Sequence, residues 1–61
     1  MKLKEQVLLI LMSSKGGYVS GEDISKQLYV SRNAVWKAIN SLRADGFVID
    51  AIQNKGYLLS G

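Results

Sequence analysis

The amino-acid sequence predicts a small α+β domain in which three helices are closed by a two-stranded hairpin. Three observations predict it. Apolar residues recur at helical spacing from Leu3 to Leu42. The period then shortens over Phe47-Val48-Ile49-Asp50-Ala51-Ile52, a β-branched run. Glycine, in a chain without proline, separates the segments at Gly16-Gly17, Gly21, Gly46 and Gly56.

The first helix follows from Leu3, Val7, Ile10, Leu11 and Ser14, which share one face. Leu8, Leu9 and Met12 widen that face, so the helix is expected to be covered on more than one side. Ser13-Ser14-Lys15-Gly16-Gly17 should end it, with glycine in the left-handed capping conformation. Tyr18-Val19 fits one short first strand. Ser20 then has the chemistry of an N-cap, and Glu22 and Asp23 fall in the first turn, where the helix dipole favours negative charge. Ile24 and Leu28 are the inward i, i+4 pair of a helix about two turns long. After a break at Tyr29-Val30, Ser31 caps a longer helix whose apolar face is Val35, Ala38, Ile39 and Leu42, stopped by Asp45-Gly46. Gln53-Asn54-Lys55-Gly56 is turn chemistry, and Tyr57-Leu58-Leu59 is the returning strand.

Length and composition exclude several function classes. With 61 residues, the folded surface scales to roughly 3,900 Å² against about 9,700 Å² unfolded, room for a single thin core. A two-domain enzyme with a cleft is therefore excluded. Cysteine and histidine are both absent, which removes disulfides, thiol nucleophiles, imidazole bases and nearly every zinc site. The leading run Val7–Met12 is too short for a secretory leader or a membrane span, so a cytoplasmic chain is expected. Lys15-Gly16-Gly17 lacks phosphate-loop spacing, Asp50 has no carboxylate partner, and Glu22-Asp23 is explained by a helix start. No catalytic residue, cofactor site or metal site is expected. The net charge of +3 is modest in total but large for so short a chain, and makes a polyanion a plausible partner.

Two helices about three residues apart, the second capped by Ser31, form a helix-turn-helix over about 21–40; a hairpin wing over about 47–59 completes a winged helix, one domain over 1–61. Counting about 100° per residue, Val35, Ile39 and Leu42 face the core, with Asn33, Trp36, Lys37 and Asn40 opposite and Arg32 and Arg43 on the shoulder. Such a set suits a major groove, since asparagine pairs with adenine, arginine with guanine, and lysine with a base or a phosphate. The stretch Ile24–Ala44 holds Lys26, Arg32, Lys37 and Arg43 and no acidic residue. An ordinary solvated helix face would mix Glu with Lys.

The candidate DNA-binding residues are Ser31, Arg32, Asn33, Trp36, Lys37, Asn40 and Lys55. Each also has a plain structural role. Ser31 is first a cap, Trp36 sits at the edge of the apolar face, and Lys55 is a turn residue at an exposed tip. Lys2, Lys4 and Lys15 read as solvated.

Ser20-Gly21-Glu22-Asp23-Ile24-Ser25, Val30-Ser31-Arg32-Asn33-Ala34-Val35-Trp36-Lys37-Ala38-Ile39, Leu42-Arg43-Ala44-Asp45-Gly46 and Lys55-Gly56-Tyr57-Leu58-Leu59 together resemble one kind of domain. It is the N-terminal winged-helix domain of the bifunctional biotin protein ligases that double as biotin operon repressors. The resemblance covers essentially the whole chain. It implies a head that binds double-stranded operator DNA with the helix from Arg32 to about Asp45 in the major groove. It also implies a following ligase domain, absent here, that makes biotinyl-adenylate; this corepressor promotes dimerisation, so that two heads meet two half-sites. The chain then reads as an excised head with no cofactor of its own. Tyr29 departs from the glycine that such domains usually carry between the two helices; a positive φ there would cost tyrosine about 1 kcal/mol or more. Two other readings stay open: the head of another bacterial winged-helix regulator, and a winged-helix module that binds protein.

Overall fold

The computed structural model describes residues 2–14 and 17–60. It contains α1 (Leu3–Ser13), α2 (Gly21–Leu28), α3 (Arg32–Ala44), β1 (Ile49–Ile52) and β2 (Gly56–Leu59), the α+β winged helix expected.

The core is a single layer where the three helices meet. Val7 of α1, Ile24 of α2, and Val35, Ile39 and Leu42 of α3 are completely or almost completely buried, with Leu11 and Ala38 beside them. Ile49 is the one strand residue in this cluster, while Leu28, Phe47, Tyr57 and Leu59 pack against it half-buried. The accessible surface of 4083 Å² matches the scaling for a chain of this size. The broad covering expected for α1 is partial: Leu3, Leu8 and Ile10 pack half-buried against the core, while Leu9 and Met12 remain 48% and 55% exposed. Spacing tells which residues share a face, but a domain this small does not cover every side of its first helix.

The helix ends follow local chemistry. The Lys2 N–H donates to Glu5 Oε2 (3.2 Å) at the start of α1. Ser20 Oγ accepts from the Asp23 N–H (3.0 Å) and Ser31 Oγ from the Ala34 N–H (3.1 Å), so both serines cap as expected. α1 ends on Ser14 in the right-handed region. The glycine cap expected here falls on Lys15-Gly16 and the bond into Gly17, and so lies outside the described residues. α3 ends with Gly46 at φ 106; the Gly46 N–H donates to Arg43 O (3.0 Å) and the Phe47 N–H to Leu42 O (3.1 Å). These are the two bonds of a Schellman motif, completed by the apolar side chains of Leu42 and Phe47.

Tyr29 closes α2 at φ 56, ψ 45 and is 94% exposed. Its N–H and that of Val30 both donate to Ser25 O. The left-handed turn that the family resemblance implied, and that is costly for a tyrosine, is therefore present, at about 1–2 kcal/mol.

β1 and β2 pair antiparallel with Ile49 opposite Leu59 and Ile52 opposite Gly56. Phe47 and Val48, expected at the start of the strand, precede the ladder. The expected first strand is a single bridge: Val19 exchanges two backbone bonds with Tyr57 (2.9 and 2.8 Å). Gly56 makes this close approach possible. Its φ is 116, and a Cβ there would lie 2.3 Å from the Val19 carbonyl oxygen.

Candidate nucleic-acid interface

The site is built on α3 and flanked by the wing. Because Val35, Ala38, Ile39 and Leu42 are drawn into the core, Asn33, Trp36, Lys37 and Asn40 are turned outward, all of them exposed. Ser31 and Arg32 sit exposed at the N-terminus of the same helix, where free N–H groups and the helix dipole favour an anion. Lys55 occupies the far end, at the tip of the hairpin. Three residues, Gln53-Asn54-Lys55, make that tip; Asn54 takes φ 68, a conformation asparagine tolerates, and the Lys55 N–H donates to Ile52 O (3.1 Å).

Arg32 and Lys55 line one groove. It has a volume of about 500 Å³ and lies between the starts of α2 and α3 and the wing, with Ser20, Glu22, Asn54 and Tyr57 also in its walls. Lys55 Nζ is held 5.8 Å from the Tyr18 ring centroid, a cation–π contact that steadies the tip. Glu22 is the acidic member of this lining. Its carboxylate is bound by Lys26 one turn along α2 (3.0 Å). The hydrogen bond from Lys26, then its charge, and to a lesser degree the charge of Arg32 hold the Glu22 carboxyl below its ordinary value. Glu22 in turn raises the Lys26 ammonium above its ordinary value.

Not all of the basic charge counted in the sequence is therefore free to act on a partner. Lys26 is paired with Glu22. Lys4, expected to be solvated, bridges α1 to the end of α3 through Asp45 (2.6 Å). Arg43 is turned to the protein itself: Nε and Nη2 donate to the Ile49 carbonyl at 3.1 and 2.6 Å. Its guanidinium also sits 5.8 Å from the centroid of the Trp36 ring. Tyr57 is the other aromatic neighbour of Trp36, stacked at 6.4 Å and 28° between planes. Trp36 is thus a packed shoulder that still keeps 44% of its surface exposed. Sequence reasoning missed the Arg43–Trp36–Tyr57 column. Its one available signal was an arginine near the end of a helix that a short loop joins to a strand.

A three-helix core, a capped outward-facing helix and an adjoining hairpin define a winged helix-turn-helix, the class of fold that places its second motif helix in the major groove of DNA. The family model described as HTH domain matches residues 3–58, and the chain belongs to that family. It is also similar to the bifunctional ligase/repressor BirA of Bacillus subtilis (strain 168) and to that of Bacillus spizizenii. Each is 37% identical over 57 residues, 93% of this chain but 18% of the relative. The chain thus spans less than a fifth of the curated relatives it matches. Among the described residues, no helix is long and apolar enough to cross a membrane.

Proposed function

We propose that the chain is the operator-reading head of a bacterial transcriptional repressor of the biotin-responsive kind, acting in the cytoplasm. The observation that carries this reading is the outward face of α3, which is exposed, free of acidic residues and flanked by a basic wing tip. α3 enters the major groove. Asn33 and Asn40 read base edges there, Lys37 serves a base or a phosphate, and Trp36 lies against the groove wall. Ser31 and Arg32 meet the phosphate backbone at the N-terminus of α3, and Lys55 meets it from the wing. On this reading the part of the chain is positioning and readout. In a full repressor, biotinyl-adenylate would act through a following ligase domain, and dimerisation through that domain would bring two heads onto two half-sites.

A single head makes few phosphate contacts, so its own affinity is weak and salt-dependent, and pairing raises it by effective concentration. Two substitutions test the assignments. Asn33→Ala should flatten discrimination at one base pair, by about 1–3 kcal/mol for a two-pronged contact. Lys37→Ala, as a phosphate contact, should weaken all sequences alike and lower the salt slope by about one. Competition binding across a panel of single-base variants reads both. Equal loss on every sequence for Asn33→Ala would remove it as a base reader.

A further inference from the structure

The wing reaches the rest of the domain at few points, and one of them comes from the reading helix itself. The Ser60 N–H donates to Val48 O (2.9 Å) at the open end of the hairpin. By the alternation of antiparallel pairs, the next pair, Ile49 and Leu59, must turn its backbone groups away from each other. The same alternation makes Tyr57 face outward, where Val19 meets it. The Ile49 carbonyl therefore points off the free edge of β1, with no strand to receive it. Arg43 of α3 fills that place with two N–H groups on one oxygen, and its guanidinium carbon lies over the ring of Trp36, which in turn stacks on Tyr57 of β2. One arginine thus touches β1 directly and β2 through one aromatic ring.

We propose that Arg43 is a positioning residue that fixes the wing against α3, so that Lys55 and the outward face of α3 engage the same duplex. The proposal rests on the DNA-reading function given above. It assigns Arg43 away from the phosphate contact that its charge and its shoulder position on α3 would otherwise suggest. The fork is what matters: a lysine in its place keeps the charge but loses both the second bond to the Ile49 oxygen and the flat face over Trp36.

The test is a double-mutant cycle between Arg43 and Lys55 on the 61-residue chain. Binding to a labelled mixed-sequence duplex is followed by anisotropy over a range of salt. Lys55→Ala should lower the salt slope by about one. In an Arg43→Lys background the same change should leave affinity within about twofold of its starting value, because the tip no longer sits on the backbone. Amide exchange without DNA supplies an independent reading: Arg43→Lys should speed exchange of the Tyr57 and Ser60 N–H groups while leaving those within α2 slow. Arg43→Gln, which keeps a donor but not the charge, serves as the second variant.

With Arg43→Gln, which removes the charge, additive losses in the same cycle, with slope falling by about one for each residue and about two for both, would make Arg43 an independent phosphate contact and overturn the proposal. So would unchanged exchange at Tyr57 and Ser60 in both variants. Failure of the unsubstituted chain to bind any duplex at low salt would sink the DNA-reading function and this role with it. Additivity in a chain that does bind sinks the positioning role alone.

Discussion

The helical half and the wing of this molecule are held by different physics. α1, α2 and α3 share a core of side chains from Val7 to Leu42 with almost no exposure. The wing contributes only Ile49 to that core, its returning strand is half-buried, and its tip is exposed. The helices are secured by apolar area, which any well-packed aliphatic residue could supply. Beyond buried Ile49 and half-buried Tyr57 and Leu59, the wing is secured by a handful of specific contacts: the Val19–Tyr57 bridge, the glycine that permits it, and the Arg43–Trp36–Tyr57 column. Damage to the first should therefore unfold the domain, whereas damage to the second should leave a folded domain with a misplaced wing.

The largest effect is expected in the helical core. Ile39→Ala empties a completely buried site at the centre of α3, at a cost of about 2–5 kcal/mol. For a domain this small that approaches its whole stability, so urea unfolding should show a chain largely unfolded before denaturant is added. Gly56→Ala is the counterpart in the wing. It combines φ 116 with a 2.3 Å clash against backbone that cannot move aside cheaply. Exchange at Val19 and Tyr57 should rise sharply while the α3 amides stay protected. Gly46→Ala sharpens the contrast, since its φ is 106 but nothing lies within 4 Å of the added carbon. Conformational strain alone acts there, at about 1–2 kcal/mol, visible as a lower thermal midpoint with the wing amides undisturbed.

Tyr29→Gly should act in the opposite direction. It relieves a left-handed tyrosine at an almost fully exposed position, and a rise in thermal midpoint worth up to about 1 kcal/mol is expected once the entropy of glycine is offset. The smallest effect belongs to the Glu22–Lys26 pair on the exposed face of α2. Because the Glu22 carboxyl is held below its ordinary value, its contribution is present above the unfolded carboxylate range and fades as pH falls through the folded value. Glu22→Gln should therefore change the midpoint slightly at neutral pH and not at all in strong acid.

The helical half was the more legible in sequence for the same reason that it is the more robust. Ser20, Ser31 and Gly46 act within a few residues of themselves, and the spacing of Val35, Ala38, Ile39 and Leu42 describes a single face. Contacts that join distant elements leave no such pattern. Nothing in the spacing of Arg43 or Trp36 says that a strand carbonyl and a tyrosine ring will be waiting, and nothing near Lys4 announces Asp45. The exposure of Leu9 and Met12 shows the converse limit, since periodicity ranks the faces of α1 but does not count the elements available to cover them. In the interface, the outward set Asn33, Lys37 and Asn40 could be read from the helix wheel, whereas the bonded state of Arg43 needed the fold.

The measurement that tests the account most directly is a titration of the 61-residue chain into a labelled mixed-sequence duplex, repeated from low to physiological salt, with Trp36 emission followed beside anisotropy. Log affinity should fall linearly with log salt, the slope counting the phosphates met by Arg32, Lys37 and Lys55, and Trp36 emission should change on binding. A folded chain that binds no duplex even at low salt, or one whose binding is indifferent to salt, would contradict the DNA-reading head and leave the outward face of α3 as a surface for protein.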